Sequence, residues 1–371
     1  MSKLRLLLIG GGHAHLFVLE ALRSQPQWRE RMEVVMVSRD LQTPYSGMLP
    51  GLVAGHYRHK EAHVDLAPLA AAAQVRLEQA SIVALDPAGK LAVDDRGGRW
   101  PFDLASLDIG STPPLARVPG AAAHALGVKP VDVFLRQWRV FQAQADSLAR
   151  RVHMVTVGGG AGGVELVLAM AHRMAARSDQ VKWSLVTRGR LMPGYPRSAA
   201  RRMARHLAAA GIALRTGAEV VRVDEGVLHF ADGSAAAYDA LLWATGAAAP
   251  AWVAQSGLAC VDGFVHVDGH LRSLSHPHLF AAGDIATDPL QPRAKAGVYA
   301  VRQGPVLAEN LLRSAAAEPL AVYRAQRGHL SLISTGGRHA VAAWRGITWE
   351  GDWVWRWKDA IDRRFIQRFT V

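Results

Sequence analysis

Two glycine-rich turns offer backbone donors suited to binding phosphate. The first contains Gly10 and Gly12 in the stretch LRLLLIGGGHAHLFVLEAL. The second contains Gly158, Gly160 and Gly163 in RVHMVTVGGGAGGVELVLAMAHRMA. A glycine turn at the head of a helix directs free N–H groups at an anion, and its second glycine lets a pyrophosphate approach the backbone. The two turns therefore predict two sites for dinucleotide phosphates.

The first turn departs from the three-glycine pattern at its third position, which His15 occupies. The third glycine normally lets the helix pack closely on its strand, so a histidine predicts a wider gap or a tilted helix. The phosphate cradle itself does not depend on that position. His13 and Ala14 lie in the same turn and are expected beside the phosphates. Two interpretations stay open for the histidines: a functional role near the cofactor, or tolerated side chains with hydrogen-bonded ring nitrogens.

Both turns lie between an apolar strand and an apolar helix, and a second strand follows each helix. MEVVMVS follows the first helix and VKWSLVT follows the second. Dinucleotide binding requires this strand–turn–helix–strand unit, and its recurrence indicates a duplicated type of domain. The sequence therefore predicts an α/β fold with two Rossmann-like, doubly wound dinucleotide-binding domains.

The residue that ends the strand after each turn commonly contacts a ribose. Ser38 and Arg39 occupy this place in the first unit, where the serine hydroxyl can perform part of that function. Thr187, Arg188 and Arg190 occupy it in the second unit. No carboxylate stands there to repel a 2′-phosphate, and two guanidiniums are available to receive one. These residues at the end of the strand favour NADPH and do not exclude NADH.

Composition narrows the classes of protein. Of the 371 residues, 50% are hydrophobic and 20% are charged, which is typical of a globular chain. No apolar run reaches the ~18 residues of a membrane span. The net charge of +12 comes from scattered basic residues, so we expect no nucleic-acid partner. A single cysteine, Cys260, excludes an intramolecular disulfide, a redox-active cysteine pair and a four-cysteine metal site, and we predict no metal.

Two further segments complete a recognisable pattern. AYDALLWATGAAAP is an apolar strand that runs into Thr245 and Gly246, and PFDLASLDIGSTPP has the same shape with Gly110. LFAAGD places Gly283 and Asp284 ahead of a last helix. In this order the chain resembles, over nearly its full length, the FAD-dependent pyridine nucleotide-disulfide oxidoreductase superfamily, whose members have two dinucleotide-binding domains. The resemblance implies that the first unit binds FAD and the second binds NADH or NADPH.

The resemblance also implies roles for residues outside the glycine turns. Asp284 is expected to bond the ribityl chain of the flavin, and the helix starting near Gln303 to direct its N-terminus at the flavin pyrimidine edge. Pro50 lies in TPYSGMLPG, which corresponds to a loop beside the flavin ring. The candidate catalytic residues are Glu165, expected near the nicotinamide, and Lys295, expected as a cation beside the flavin. Their alternatives are a carboxylate that stabilises a helix N-terminus and a solvated loop lysine.

The predicted cofactor-binding set follows from both lines of reasoning. It consists of Gly10, Gly12, His13, Ala14, Ser38, Arg39, Pro50, Gly110, Gly158, Gly160, Gly163, Arg188, Thr245, Gly246, Gly283, Asp284 and Gln303.

Within the superfamily the chain is most similar to the thiol-free members, the type II NADH:quinone oxidoreductases and their relatives. GGGHAHLFVLE, YSGMLPG and KAGVYAVRQGP also resemble a narrower subfamily, found alone or fused to a selenide, water dikinase domain, in which His15 is expected. Since Cys260 cannot form a redox pair, the resemblance implies hydride transfer from the nicotinamide to FAD and then electron transfer directly to a non-thiol acceptor such as a quinone. Two alternatives stay open: a flavin-dependent oxygenase or halogenase, and a non-catalytic redox sensor or partner in selenium metabolism.

The predicted domain boundaries follow the order of the motifs. The FAD domain is discontinuous, with residues 1–117 and 251–317, and the NAD(P)H domain occupies residues 118–250 between them. Residues 318–371 are expected to form a small α+β cap. In that cap Trp353, Trp355 and Trp357 occupy every second position, which predicts a strand. The apolar residues of the segment 358–369 recur with the spacing of a helix.

The final helix has two possible partners. Its aromatic residues and arginines suit either packing on the flavin domain or a second subunit, or a peripheral contact with lipid. We expect packing to dominate because the apolar residues are few. The protein is thus expected in the cytoplasm, with a possible peripheral contact on the inner face of the membrane, a quinone-like small molecule as acceptor and a possible homodimer.

Overall fold

The computed structural model describes residues 3–147, 150–326 and 328–371. The first part of the chain follows the predicted strand–turn–helix–strand order and then adds a meander. Its elements are β1 (Leu4–Ile9), α1 (His13–Ser24), β2 (Met32–Ser38), β3 (Gln42–Pro44), α2 (Leu49–Ala54), β4 (His63–Asp65), α3 (Leu66–Ala73), β5 (Arg76–Gln79), β6 (Ile82–Asp86), β7 (Leu91–Asp94), β8 (Arg99–Pro101) and β9 (Leu104–Leu107).

The second part repeats that order after a short connection. Its elements are α4 (Ala121–His124), β10 (Leu126–Gly127), α5 (Val131–Ser147), β11 (Val152–Val157), α6 (Ala161–Arg173), β12 (Val181–Val186), α7 (Arg197–Ala209), β13 (Ile212–Arg215), β14 (Val220–Asp224), β15 (Val227–Phe230), β16 (Ala235–Ala237) and β17 (Ala240–Trp243).

The remainder of the chain returns to the first unit and then forms a smaller sheet with a long helix. Its elements are α8 (Ala251–Gln255), β18 (Cys260–Val261), β19 (Phe264–His266), β20 (Leu279–Ala281), β21 (Ala286–Thr287), α9 (Gly297–Ala315), β22 (Ser331–Ser334), β23 (Ala340–Trp344), β24 (Ile347–Gly351) and α10 (Asp352–Phe369).

Each unit is built on a five-stranded parallel sheet. The first sheet has the order β20-β9-β1-β2-β5, and the second has the order β10-β17-β11-β12-β13. Their strands read as nearly continuous apolar runs because helices cover both faces of a parallel sheet. In β1, for example, Leu6 to Ile9 are all buried. Strand β20 joins the first sheet although it follows the second unit in the sequence, as a discontinuous domain requires.

The duplication extends beyond the parallel sheets. Each unit carries a three-stranded antiparallel meander, β6-β7-β8 in the first and β14-β15-β16 in the second. The predicted fold class, α/β with two doubly wound dinucleotide-binding domains and a small C-terminal α+β part, is confirmed. Because the carboxyl ends of parallel strands meet at one edge of the sheet, the first sheet collects the turns after β1, β9 and β20, and the second collects those after β11 and β17.

The C-terminal part consists of the antiparallel sheet β22-β23-β24 and helix α10. Trp353, Trp355 and Trp357 lie in this helix, so the prediction of a strand from their alternation is wrong. In a helix Trp353 and Trp357 are one turn apart, and their rings stack with centroids 6.5 Å apart. The helix begins at Asp352, ahead of the predicted residue 358. None of the helices in the described ranges combines the length and the apolar character that a bilayer span requires.

Candidate functional site

A cavity of about 2400 Å³ opens where the two units and the C-terminal part meet. Its wall includes the β1–α1 turn, the loop before α2, the end of β9, the start of α6, the start of α9 and one face of α10. A pocket for one small ligand typically has about 300–1,000 Å³. This cavity therefore has room for more than one ligand.

The structure brings together most of the residues predicted on the flavin side. Those in the cavity wall are Gly10, Gly12, His13, Ser38, Arg39, Pro50, Gly110, Glu165, Gly283, Asp284 and Lys295. The remaining predicted residues lie outside this wall: Ala14, Gly158, Gly160, Gly163, Arg188, Thr245, Gly246 and Gln303.

The first turn has the backbone conformation that its glycines permit. Gly10 has φ +91°, and a Cβ atom there would lie 2.5 Å from the Asp108 carbonyl oxygen. At Gly12 a Cβ atom would collide with the Asp108 carboxyl group. Both positions therefore require glycine.

The two histidines of this turn have different surroundings. His15 is fully buried, its Nδ1 donates to the Gly10 carbonyl at 2.6 Å, and its Nε2 accepts from the Ser106 hydroxyl at 2.9 Å. Burial lowers the pKa of His15 to about 4, so its ring is neutral at pH 7. Of the two interpretations, the hydrogen-bonded structural role fits His15. His13 instead reaches the cavity wall and bonds the Pro44 carbonyl at 3.1 Å.

Asp284 lies in a cluster that the sequence did not indicate. Its Oδ2 accepts from the Ser111 hydroxyl at 2.8 Å and from the Lys129 ammonium at 2.9 Å. Burial alone would raise the pKa of Asp284, but the charge of Lys129 and these hydrogen bonds outweigh it and keep the pKa below its ordinary value. Lys129 comes from the segment after β10, where no motif marks it.

Helix α9 begins at Gly297, six residues before the position at which the sequence placed its N-terminus. Gly297 is in the cavity wall, whereas Gln303 is buried and its Oε1 accepts from the Gly283 N–H at 2.7 Å. The prediction that Gln303 marks the N-terminus is therefore wrong. Gln303 instead holds the turn that precedes Asp284.

Lys295 is partly buried in the cavity wall. Its Nζ donates to the Ala286 carbonyl at 2.7 Å and lies 3.9 Å from the centre of the Phe264 ring. Burial lowers the pKa of Lys295 to about 8, although the charge of Asp284 opposes the shift. This environment differs from that of a solvated loop lysine.

Partly buried Glu165 and two buried residues of α10 lie together in the cavity wall. Glu165 accepts from the Ser334 N–H at 2.8 Å, and burial raises its pKa to about 7. Lys358 and Asp362 form an ion pair at 2.5 Å, and the Lys358 ammonium also donates to the Gly47 carbonyl. The only sequence signal for this pair is its i,i+4 spacing among aromatic residues.

The second turn keeps the full three-glycine pattern for a steric reason. A Cβ atom at Gly158 would lie 2.5 Å from the Ala244 carbonyl oxygen, and one at Gly163 would collide with the Gly158 carbonyl. Arg188 follows β12 with a largely exposed side chain, 3.6 Å from Glu219. Helix α6, which starts at this turn, contributes Glu165 to the cavity.

A second cluster of titratable side chains lies between α7 and the C-terminal sheet. Ligand atoms of His206, His339 and Glu350 lie within 4.8 Å of one another, which is close enough for a metal. However, Arg202 and Arg205 already donate to Glu350 at 2.6 and 3.2 Å. Two guanidinium charges oppose a bound cation, so this cluster serves as an ion-pair contact between α7 and the C-terminal sheet.

Comparison with known proteins identifies the family. Residues 4–304 match the family model of the pyridine nucleotide-disulphide oxidoreductases. The chain belongs to this family. It is 24% identical over 368 residues to demethylphylloquinone reductase NdbB of Synechocystis sp., covering 94% of this chain and 88% of that protein. It is 27% identical over 216 residues to an NADH dehydrogenase-like protein of Mycobacterium tuberculosis, covering 56% of this chain and 54% of the relative.

Solved structures show the same fold. A sulfide:quinone oxidoreductase from Aquifex aeolicus superposes with a TM-score of 0.81 at 15% identity, over 99% of this chain and 91% of the other. The NDH2 of Plasmodium falciparum in complex with NADH superposes with a TM-score of 0.79 at 14% identity, over 98% of both chains.

The second glycine turn and the loop after β9 have room for the cofactors of the family. A Cβ atom added at Gly110, Gly160 or Gly162 would meet no heavy atom of the described residues within 4 Å. These positions thus face open space in which a phosphate can approach the backbone. Family membership confirms the predicted use of FAD and of NADH or NADPH, and with it the predicted enzyme class, an NAD(P)H dehydrogenase. The oxygenase and redox-sensor alternatives find no support among these relatives.

Proposed function

We propose that this enzyme passes electrons from NAD(P)H through FAD directly to a quinone-like acceptor. The observation that carries the proposal is one continuous cavity whose wall includes the first turn, several aromatic rings and the partly buried Glu165. Trp349, Trp357 and Phe365 contribute to that wall, and the single cysteine, Cys260, lies outside it. The demethylphylloquinone reductase that matches almost the whole chain supports the same acceptor class.

The residues around the cavity have separate tasks in this proposal. Gly10, Gly12 and Asp284 would hold the phosphates and ribityl chain of FAD, and Lys295 would supply a positive charge to its ring. The cofactor would supply the redox chemistry. Glu165, on α6, lies where both the nicotinamide and the acceptor approach. The protein thus contributes position, charge and protons.

Glu165 has the properties of a proton donor to the acceptor. Reduction of a quinone to a quinol takes up two protons, and a carboxyl group with a pKa of about 7 holds one near neutral pH. Lys358 and Asp362 lie close enough to influence that pKa, the lysine lowering it and the aspartate raising it. We infer that the carboxyl of Glu165 delivers a proton and that the ion pair keeps the acid in place.

The acceptor is tested under anaerobic conditions with NADH or NADPH and a panel of benzoquinones and naphthoquinones. We expect ping-pong kinetics, because the two substrates react in turn with one flavin. Trp357→Ala should raise the KM for quinone, since this ring is in the cavity wall. Trp353→Ala is the matched control, because its ring stacks on Trp357 from outside the wall. Reduction of the flavin by NAD(P)H without turnover of any quinone would exclude this acceptor class.

The choice between NADH and NADPH is a separate proposal. Arg188 and Arg190 follow β12, and the strand end itself carries no carboxylate, which favours NADPH. Glu219 lies 3.6 Å from Arg188, so the guanidinium would have to leave this exposed pair to bind a 2′-phosphate. The double variant Arg188→Ala/Arg190→Ala should raise the KM for NADPH and leave that for NADH nearly unchanged. Equal effects on both KM values would show that these residues do not read the 2′-phosphate.

We also propose that the outer face of α10 contacts lipid. Trp353, Trp357 and Ile361 form an exposed stripe one turn apart, and Arg356 and Arg364 are exposed beside them. Aromatic residues that insert beside arginines that meet phosphate are typical of an interfacial helix. This stripe also borders the cavity, so a lipid-soluble acceptor would enter from the bilayer.

Sedimentation with vesicles of phosphatidylcholine and phosphatidylglycerol tests the contact. Trp353→Ser/Ile361→Ser should reduce binding at low salt, whereas Leu290→Ser, on an exposed loop elsewhere, should not. Wild-type protein that stays in the supernatant with anionic vesicles would refute the contact.

A further inference from the structure

A carboxyl group occupies part of the first phosphate turn. Asp108 follows β9, is almost completely buried and lines the cavity. Its Oδ2 accepts from the Ala14 N–H at 2.7 Å and from the His15 N–H at 3.1 Å, and its backbone carbonyl accepts from Gly12 at 3.0 Å. One residue thus satisfies three of the donors that a glycine turn otherwise presents to an anion.

The second turn provides an internal comparison, because Asp108 donates to the Ile9 carbonyl as Ala244 donates to the Val157 carbonyl. Gly10 donates to the Val37 carbonyl of β2 and Gly158 to the Val186 carbonyl of β12, each at 2.8 Å. A Cβ atom at either glycine would lie 2.5 Å from one carbonyl oxygen, that of Asp108 in the first turn and that of Ala244 in the second. Asp108 therefore corresponds to Ala244, whose methyl group leaves the second turn without this charge.

A carboxylate in this place opposes a bound pyrophosphate. The dinucleotide brings negative charge to the same helix N-terminus, and two like charges that share a site raise the pKa of the weaker acid. A neutral carboxyl group removes the repulsion, and its O–H can donate to a phosphate oxygen.

We propose that the Asp108 carboxyl takes up one proton when the FAD pyrophosphate binds in the first turn, and that this residue thereby sets how tightly FAD is held. The inference rests on the use of FAD and is independent of the identity of the electron acceptor.

The groups that face Asp108 are consistent with proton uptake. Burial raises the pKa of Asp108 to about 7, the charge of Asp284 raises it further, and the Ala14 and His15 N–H groups and Lys129 oppose the shift. His15, on the same helix as those donors, is neutral, because burial lowers its pKa. The acid therefore titrates in the neutral range before any cofactor adds its own charge.

The sign of the expected pH dependence follows from linkage. Below a pH of about 7 Asp108 is protonated with or without FAD, so it adds no pH dependence to binding. Above that pH the free protein has lost the proton, and FAD binding must recover it. The Kd for FAD should then rise by up to about tenfold per pH unit, until the pKa of the bound state is reached.

The test follows release of FAD from the holoprotein on dilution, through the increase in flavin fluorescence, between pH 6 and pH 9. The wild-type Kd should be flat at the acid end and rise above about pH 7. Asp108→Asn keeps the shape of the neutral acid, so the Kd of this variant for FAD should not change with pH. At pH 9 that Kd should be at least about tenfold lower than the wild-type Kd. A flat wild-type profile, or an unchanged slope in Asp108→Asn, would overturn the proposal.

The reciprocal variant Ala244→Asp places the same carboxyl in the second turn. It should weaken NADH binding at pH 9 more than at pH 6, while FAD binding keeps the wild-type profile. Circular dichroism confirms that each variant is folded. If the Kd of Ala244→Asp for NADH does not change with pH, a carboxyl group at this position does not determine dinucleotide affinity.

Discussion

His15 and Asp108 show how single side chains change a turn whose backbone conformation is ordinary. The histidine takes the place of a glycine and satisfies the Gly10 carbonyl and the Ser106 hydroxyl from inside the fold. The aspartate replaces an apolar residue and binds donors at the start of α1. His15 lies in the turn and has a structural role, whereas Asp108 follows β9 and brings a carboxyl group to the turn from outside it.

Replacing His15 by alanine should destabilise the protein by about 2–4 kcal/mol, because it leaves a cavity and two unsatisfied polar groups. The loss should be largest above a pH of about 6.5. There the neutral ring contributes fully, and its contribution falls as the pH drops towards a pKa of about 4. Chemical denaturation at pH 5 and pH 8 measures the difference. An equal loss at both pH values would show that the ring is not held neutral.

Glu165→Gln should change the pH dependence of stability in the opposite direction. The folded state favours the protonated acid, so its contribution is complete below a pKa of 4.5 and is lost as the pH rises through about 7. The stability of the variant relative to wild type should therefore be higher at pH 8 than at pH 5. Thermal unfolding at the two pH values measures this difference. Quinone reduction should fall by about 100-fold or more if the carboxyl delivers a proton. A variant with full activity would remove Glu165 from the mechanism.

At the scale of elements, α10 has two apolar stripes with different surroundings. Val354, Phe365 and Phe369 are buried, and Phe365 stacks on Tyr45 with ring centres 4.2 Å apart. Arg368 pairs with Glu20 on α1 at 2.7 Å. The helix therefore packs on the first unit through one stripe and exposes tryptophans on the other, so packing and lipid contact are compatible in one helix.

The two stripes predict different effects of truncation to alanine. Phe365→Ala should cost about 3–5 kcal/mol, because it removes a buried ring from the contact with α1 and the Tyr45 loop. Ile361→Ala, one turn away and exposed, should change stability by less than about 0.5 kcal/mol. Urea unfolding of both variants measures the difference. Similar losses would show that α10 does not pack as described.

At the scale of the whole molecule, three parts of the chain close one cavity. The first unit contributes its glycine turn, the second contributes the segment around Lys129 and the start of α6, and the C-terminal part contributes α10. No single part encloses the cavity, so we expect ligand binding in it to be coupled to assembly of the three parts.

Removal of FAD should therefore destabilise the whole protein. A ligand present at 100 times its Kd stabilises the folded state by about 2.7 kcal/mol. The melting temperature should rise with FAD concentration, and α10 should become more resistant to proteolysis. A melting temperature that is independent of FAD would show that the cavity does not hold it.

The sequence was sufficient for the features that depend on local patterns. Two apolar strands followed by glycine turns and helices predicted both parallel sheets, since the turn chemistry and the periodicity agree over short stretches. It was insufficient for Lys129, which no motif marks, and for Lys358 and Asp362, whose i,i+4 spacing does not show that they line a cavity. The alternating positions of Trp353, Trp355 and Trp357 led to the wrong prediction of a strand. A helix with one buried and one exposed apolar stripe also places tryptophans at every second position.

The amino-acid sequence by itself determined the duplicated α/β fold, the phosphate turns and the lack of a cysteine pair, because these are properties of neighbouring residues or of composition. Only the tertiary structure decided that Asp108 lies under the first turn, that Gln303 supports Gly283 and that Glu165 faces a buried ion pair. Those contacts join residues far apart in the chain, and burial, which sets their pKa values, exists only once the chain is folded.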